Sequence, residues 1–101
     1  METWTRWRIY VGLTDQNGLR LSDAERVSLV ETVADRFQGF TVFQAEGYWE
    51  GHREESLVFE ILVDGSGGAR VDVLAEGLRE RADQAVVLVT RESIEATLER
   101  A

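Results

Sequence analysis

Residues Gly39–Val63, GFTVFQAEGYWEGHREESLVFEILV, decide the fold of this chain. On both sides of a charged centre, β-branched and aromatic residues recur with a period close to two, the spacing that sends alternate side chains to opposite faces of a strand. The centre, Gly47-Tyr48-Trp49-Glu50-Gly51-His52-Arg53-Glu54-Glu55, holds two glycines and the only histidine. Its polarity and its glycines predict an exposed tip joining two antiparallel strands.

Upstream, Trp7, Ile9, Val11 and Leu13 alternate with Arg6, Arg8, Tyr10 and Gly12, which predicts a strand over Arg6–Leu13. Asp15-Gln16-Asn17-Gly18 follows as a turn, Asn-Gly supplying the positive φ. Ser22 and Glu25 then stand at capping-box spacing and open a helix. Ala24, Val27, Val30, Val33, Ala34 and Phe37 form its expected apolar stripe, Glu25, Arg26, Glu31 and Asp35 its outer face, and Gly39 its C-terminal stop.

Downstream, Asp64–Gly68 is a flexible loop leading into a second helix, with Ser66 as its expected N-cap. Val71, Leu74, Ala75, Leu78 and Ala82 recur at helical spacing. Gly77 interrupts this helix at a cost of about 1 kcal/mol relative to alanine, a cost that close packing on a sheet would explain. Gln84–Thr90, QAVVLVT, is a continuous β-branched run and predicts a strand buried on both faces. Glu92–Arg100 is expected to form a short helix on which Ile94 and Leu98 are the apolar pair.

The element order is therefore β-α-β-β-α-β, the ferredoxin-like split βαβ plan, in a single α+β domain over residues 1–101. That plan puts two helices on one face of a four-stranded antiparallel sheet, with the first and third strands central and the short C-terminal helix appended. By parity, Trp7, Ile9 and Val11 join Leu57, Phe59, Ile61 and Val63 beneath the helices. The other face carries Arg6, Arg8, Tyr10, Val58, Glu60 and Leu62, with Val86 and Leu88 from the last strand. This mixture is too apolar for a wetted surface and too charged for a core. It is read as an oligomer interface with Arg8 and Glu60 as cross-strand partners; the plainer alternative is an open face with scattered hydrophobes.

Composition narrows the functional classes. The net charge of −8 opposes nucleic acid and anionic membranes as partners. Only Trp4-Thr5-Arg6-Trp7-Arg8 interleaves basic and aromatic residues as a single-strand binder would, and it reads more simply as a strand. No segment is a run of roughly 20 apolar residues. The start METWTRWR lacks the apolar core of a signal peptide, so a cytoplasmic setting is expected. Cysteine is absent, which removes disulfides, thiolate catalysis and zinc–thiolate sites.

Candidate chemistry gathers at the tip. His52 with Glu54 or Glu55 is the one acid–base pair on offer, against the plainer reading of a solvated turn histidine. His52, Glu50 and Glu54 are of metal-ligating type, but their spacing matches no specific metal motif. Tyr48 and Trp49 would stack a planar ligand while Arg53 neutralises an anionic group; equally, the aromatics would plug a neighbouring subunit. The expected ligand residues are thus Tyr48, Trp49, Glu50, His52, Arg53 and Glu54, with no catalytic residue, metal or cofactor assigned. Ser66-Gly67-Gly68 only loosely resembles a phosphate cradle, since no lysine follows. No Gly-x-Ser-x-Gly element is present.

Tyr48-Trp49-Glu50-Gly51, then Glu54-Glu55-Ser56 and the strand Leu57–Val63, resemble the PII/CutA superfamily, in which an aromatic-aromatic-x-Gly turn precedes an acidic residue and an apolar strand. The likeness extends through Val71–Val89 in order and length, and similar Gly-Tyr-Trp and Glu-x-Ser combinations occur in short bacterial and phage-type proteins. It implies a trimer with ligand sites between subunits. The chain lacks the long nucleotide-gripping loop and basic residues of PII proteins, and the cysteine and proline-containing segment of CutA, so the resemblance carries over no catalytic residue and no ATP or 2-oxoglutarate site. The expected function is a non-enzymatic homo-oligomer, trimeric on this resemblance, that binds a small anionic metabolite or nucleotide between subunits. The alternatives are a small dimeric ferredoxin-like enzyme of monooxygenase or isomerase type, and an acidic protein-binding adaptor or phage inhibitor.

Overall fold

The computed structural model describes residues 2–65 and 67–101. The elements are β1 (Glu2–Gly12), α1 (Asp23–Ala34), β2 (Thr41–Trp49), β3 (His52–Val63), α2 (Gly68–Arg81) and β4 (Leu88–Ala96). All neighbouring strands are antiparallel in the order β2-β3-β1-β4, so β1 and β3 are central and the fold is the ferredoxin-like α+β sandwich.

Register places the core. Trp7 faces Ile61, Ile9 faces Phe59 and Val11 faces Leu57, so these side chains share the face beneath the helices. They are buried together with Leu29 and Val33 of α1 and Val71, Leu74 and Leu78 of α2. Each wholly buried side chain of this size contributes about 1.5–3 kcal/mol. Local signals agree with the packing. Ser22 Oγ accepts from the Glu25 N–H at 3.1 Å and the Glu25 carboxylate accepts from the Ser22 N–H at 3.0 Å, closing the capping box. The α2 stripe Val71, Leu74, Ala75, Leu78 and Ala82 is buried in full. In the turn, Asp15 Oδ1 accepts from the N–H groups of Asn17 and Leu19, and Gly18 takes positive φ.

Five expectations are corrected. First, the buried stripe of α1 is Leu29 and Val33, with Val30 partly covered, whereas Ala24, Val27 and Ala34 face outward. Two apolar stripes coexist on this helix, and docking on the sheet selects the one that continues to Phe37. Second, α1 ends at Ala34 with Asp35 as its C-cap, before Gly39. The N–H groups of Arg36 and Phe37 bond back to the Val33 carbonyl, and Arg70 stacks 4.5 Å from the Phe37 ring.

Third, the last strand starts at Leu88 and runs to Ala96, so Gln84–Val87 is a connector and Glu92–Ala96 is strand where a helix was expected. The cause is the length of β1, which begins at Glu2 and offers a ladder to the whole segment: Trp4 faces Ile94 and Arg6 faces Glu92. Fourth, β4 is an edge strand with Leu88 exposed, not a strand covered on both faces. Fifth, an added Cβ at Gly77 would meet nothing within 4 Å, so close packing does not account for that glycine. Ser66, the expected cap of α2, lies outside the described residues; Gly67 stands at the N-cap without a side-chain cap bond.

Candidate functional site

The uncovered face of the sheet is built as parity requires. Arg6, Arg8 and Tyr10 of β1 face Leu62, Glu60 and Val58 of β3. On the other side the same residues face Glu92, Thr90 and Leu88 of β4, and Phe43 of β2 lies beside Val58. Arg8 Nε donates to Glu60 Oε1 at 2.8 Å; Arg6 pairs with Glu92 and lies 3.7 Å from the same Glu60 oxygen. The Glu60 hydrogen bond holds the Arg8 guanidinium protonated more firmly than usual. These four charges are therefore paired among themselves. Val58 is fully buried although no helix lies on its side and it belongs to the opposite face from the core cluster. Phe43, Leu62 and Leu88 around it remain exposed. Val86 stands before β4 and is highly exposed.

Beyond this face the β2–β3 hairpin overhangs. The β1–β3 ladder stops at Gly12 and Ser56, so His52–Glu54 pair with β2 alone, while Leu13 N–H reaches the Glu55 carbonyl at 2.9 Å. The expected long tip is instead a tight turn: Tyr48 pairs with Arg53, Trp49 pairs with His52, and only Glu50 and Gly51 lie between the strands, both at positive φ. Alternation along the strands puts Trp49 and His52 on the open-face side and Tyr48 and Arg53 on the other. Tyr48 and Trp49 are thus not two walls of one slot.

Arg53 is held by carboxylates. It donates from Nε to Glu46 and from its terminal nitrogen to Glu55 at 3.0 Å, Arg20 pairs with Glu55 at 2.8 Å, and the Tyr48 hydroxyl donates to Glu46 at 3.2 Å. The Arg53 hydrogen bond holds the Glu46 carboxyl below its usual range. Hydrogen bonds from Arg20 and then Arg53 do the same for Glu55.

Between the overhang and the end of β1 lies a polar cleft of about 310 Å³, lined by Gly12, Arg20, His52, Arg53, Glu54 and Gln84 among others. It brings together His52, Arg53 and Glu54 from the sequence-predicted set and leaves out Tyr48, Trp49 and Glu50. Gln84 and Arg20 were missed. Gln84 sits within a run that reads as strand, and Arg20 reaches Glu55 only because its segment bridges back to Thr14. With both arginines occupied, the imidazole of His52 and the carboxylate of Glu54 stand in the cleft with no side-chain bond among the described residues, and can bond a polar ligand. Among the described residues no three His, Cys, Asp or Glu side chains gather as a metal centre.

A second cleft, of about 260 Å³, opens on the same sheet face at its far end, between Trp4, Phe40, Leu62 and Leu98, with Thr41 and Glu60 on its wall. It is largely apolar.

No family model and no curated protein matches this sequence. Solved structures do. A phage SAM lyase in complex with S-methyl-5'-thioadenosine is similar at TM-score 0.66 and 21% identity, covering 92% of this chain and 90% of that one. A DUF3240 family protein from Shewanella baltica is similar at TM-score 0.65 and 14% identity, with all of both chains covered. A dimeric ferredoxin-like protein from Thermobifida fusca is similar at TM-score 0.51 and 10% identity, over 93% of each chain. These likenesses establish the ferredoxin-like fold and stop short of a PII or CutA assignment.

Proposed function

We propose that this chain is a homo-oligomeric, PII/CutA-like ferredoxin-fold module that binds a small nucleoside-type metabolite in the polar cleft at the hairpin, completed by a second copy. The observation that carries the reading is the uncovered sheet face, apolar around a fully buried Val58 and with Arg6, Arg8, Glu60 and Glu92 paired to one another in a chain of net charge −8. Self-association costs least where charges already cancel, and a mixed apolar and paired-charge surface is the composition of interfaces. His52 and Glu54 would bond the ribose or base edge of the ligand. The dimeric and ligand-bound structures among the similar folds lend support. A cytoplasmic setting belongs to the same proposal; no helix among the described residues is long and apolar enough to cross a membrane.

Light scattering of the purified chain gives the mass, and titration calorimetry with S-methyl-5'-thioadenosine, SAM, AMP and ATP gives the ligand class. A one-chain mass at all concentrations, or no heat from any of these ligands, refutes the corresponding half. A second reading, lyase chemistry on SAM in the same cleft, is favoured by the likeness to the phage enzyme. Incubation of the protein with SAM, followed by chromatography for S-methyl-5'-thioadenosine formed faster than in a protein-free control, decides it.

A further inference from the structure

The open face carries a projecting aromatic at one end and a hole at the other. Trp49 is 67% exposed, stands beside the two-residue turn of an overhanging ribbon, and points to the open-face side. The apolar cleft between Trp4, Phe40, Leu62 and Leu98 opens on that same face beside Thr41, at the opposite end of β2. Thr41 and Trp49 are separated by eight residues of strand, roughly 26 Å at about 3.3 Å per residue. A chain therefore cannot place Trp49 in its own cleft.

We infer that Trp49 of one copy inserts into the Trp4–Leu62–Leu98 cleft of a second copy of this chain, as the anchor of self-association. This rests on the self-association half of the proposed function and adds the residue and the socket. Three features commit the cleft to another copy. An indole buries about 150–250 Å² and an apolar cleft near 260 Å³ has room for one. Beside the hole the face carries Arg6, Arg8, Glu60 and Glu92, whose charges are paired with one another, so two chains of charge −8 meet there with less repulsion than over unpaired carboxylates. The ribbon that carries Trp49 has a free backbone edge over His52–Glu54, which a two-stranded element leaves marginal until something covers it. A knob and a separate hole on one surface generate either a reciprocal pair or a closed ring.

The test uses the full chain and two surface variants, Trp49→Ala, which removes the knob, and Leu62→Glu, which charges the hole. Both residues are exposed, and far-UV circular dichroism checks that each variant folds. Sedimentation or light scattering is run over a dilution series. Each variant alone is expected to raise the dissociation constant by about 30-fold or more, as a central aromatic anchor does. An equimolar mixture, in which the intact knob of L62E meets the intact hole of W49A, is expected to recover a mixed assembly that neither forms alone. Wild-type protein that assembles while W49A and L62E retain its dissociation constant overturns the socket and leaves the self-association reading standing. Wild-type protein that stays a single chain overturns both.

Discussion

The side chain of Gln84 occupies the space in which Gly12 would carry a Cβ. Gln84 Nε2 donates to the carbonyls of Thr14 at 2.8 Å and Ala82 at 3.0 Å, and this places Oε1 where an added Cβ at Gly12 would collide with it. The contact ties the end of β1 to the connector before β4 and forms one wall of the polar cleft. Gly12→Ala is expected to push Gln84 off both carbonyls, at roughly 1–2 kcal/mol for two hydrogen bonds. In a Gln84→Ala background the same substitution should cost within about 0.5 kcal/mol of nothing. Urea denaturation of the double-mutant cycle reads the difference, and equal costs in both backgrounds would show that the glycine is there for another reason.

Acid should loosen the hairpin before it loosens the core. Glu46 and Glu55 have carboxyl pKa values lowered from the ordinary 4.5, chiefly by hydrogen bonds from Arg53 and Arg20. A lowered value in the folded state means stability that is present above the ordinary value and lost as pH falls through the folded one. Wild-type stability is therefore expected to drop on acidification below 4.5, with a shallower dependence in Arg53→Ala, which lacks one of the shared cations. Denaturant midpoints measured from about pH 7 to about pH 3 test this, the two proteins converging at the acid end. Parallel curves would exclude Arg53 as the cause. Glu46, Arg53 and Arg20 are exposed and Glu55 is half-buried, so added salt should shrink the effect without removing it.

Gly77 offers a gain. It lies inside α2, takes no positive φ, and a methyl group there would meet nothing within 4 Å. Gly77→Ala should raise stability by about 0.5–1 kcal/mol through helix propensity and a less disordered unfolded chain, or a Tm rise of about 4 °C for a domain of this size. A loss would reveal a close contact that forms only on assembly.

The parts of the fold legible in the sequence are those specified by period and by local chemistry. The alternation of Trp7-Ile9-Val11 and Leu57-Phe59-Ile61 named both faces of the central strands, and the Ser22–Glu25 box and the Val71–Ala82 stripe named the helices. What escaped was decided by partners distant in sequence. Gln84–Thr90 is as β-branched as any core strand, yet the ladder of β1 captures Leu88–Ala96 and leaves Gln84–Val87 outside it. Leu29 replaces Val27 in the core because the sheet selects among equally apolar stripes. For the candidate site, residue type pointed to His52, Arg53 and Glu54, which line one cleft. It also joined Tyr48 to Trp49, which a strand separates, and missed Gln84 and Arg20, whose places depend on loops.

The tight turn explains that separation and provides the last prediction. Glu50 at φ 49° and Gly51 at φ 82° form the positive-φ pair whose twist matches a hairpin, and it is this turn that keeps Tyr48 and Trp49 paired within the ladder. Glutamate is poorly suited to the left-handed region that asparagine tolerates, so Glu50→Asn should stabilise the ribbon; Gly51→Ala should cost about 1–2 kcal/mol there. Because the ribbon past Gly12 and Ser56 is held largely by its own ladder, the changes should be local. Hydrogen exchange is expected to show slower amides over Glu46–Glu55 in E50N and faster ones in G51A, with the Ile9–Phe59 pairing unaltered in both. Were the core amides to follow the ribbon in G51A, the overhang would be part of the cooperative unit, and Trp49 would be held in place by the fold itself before any second copy arrives.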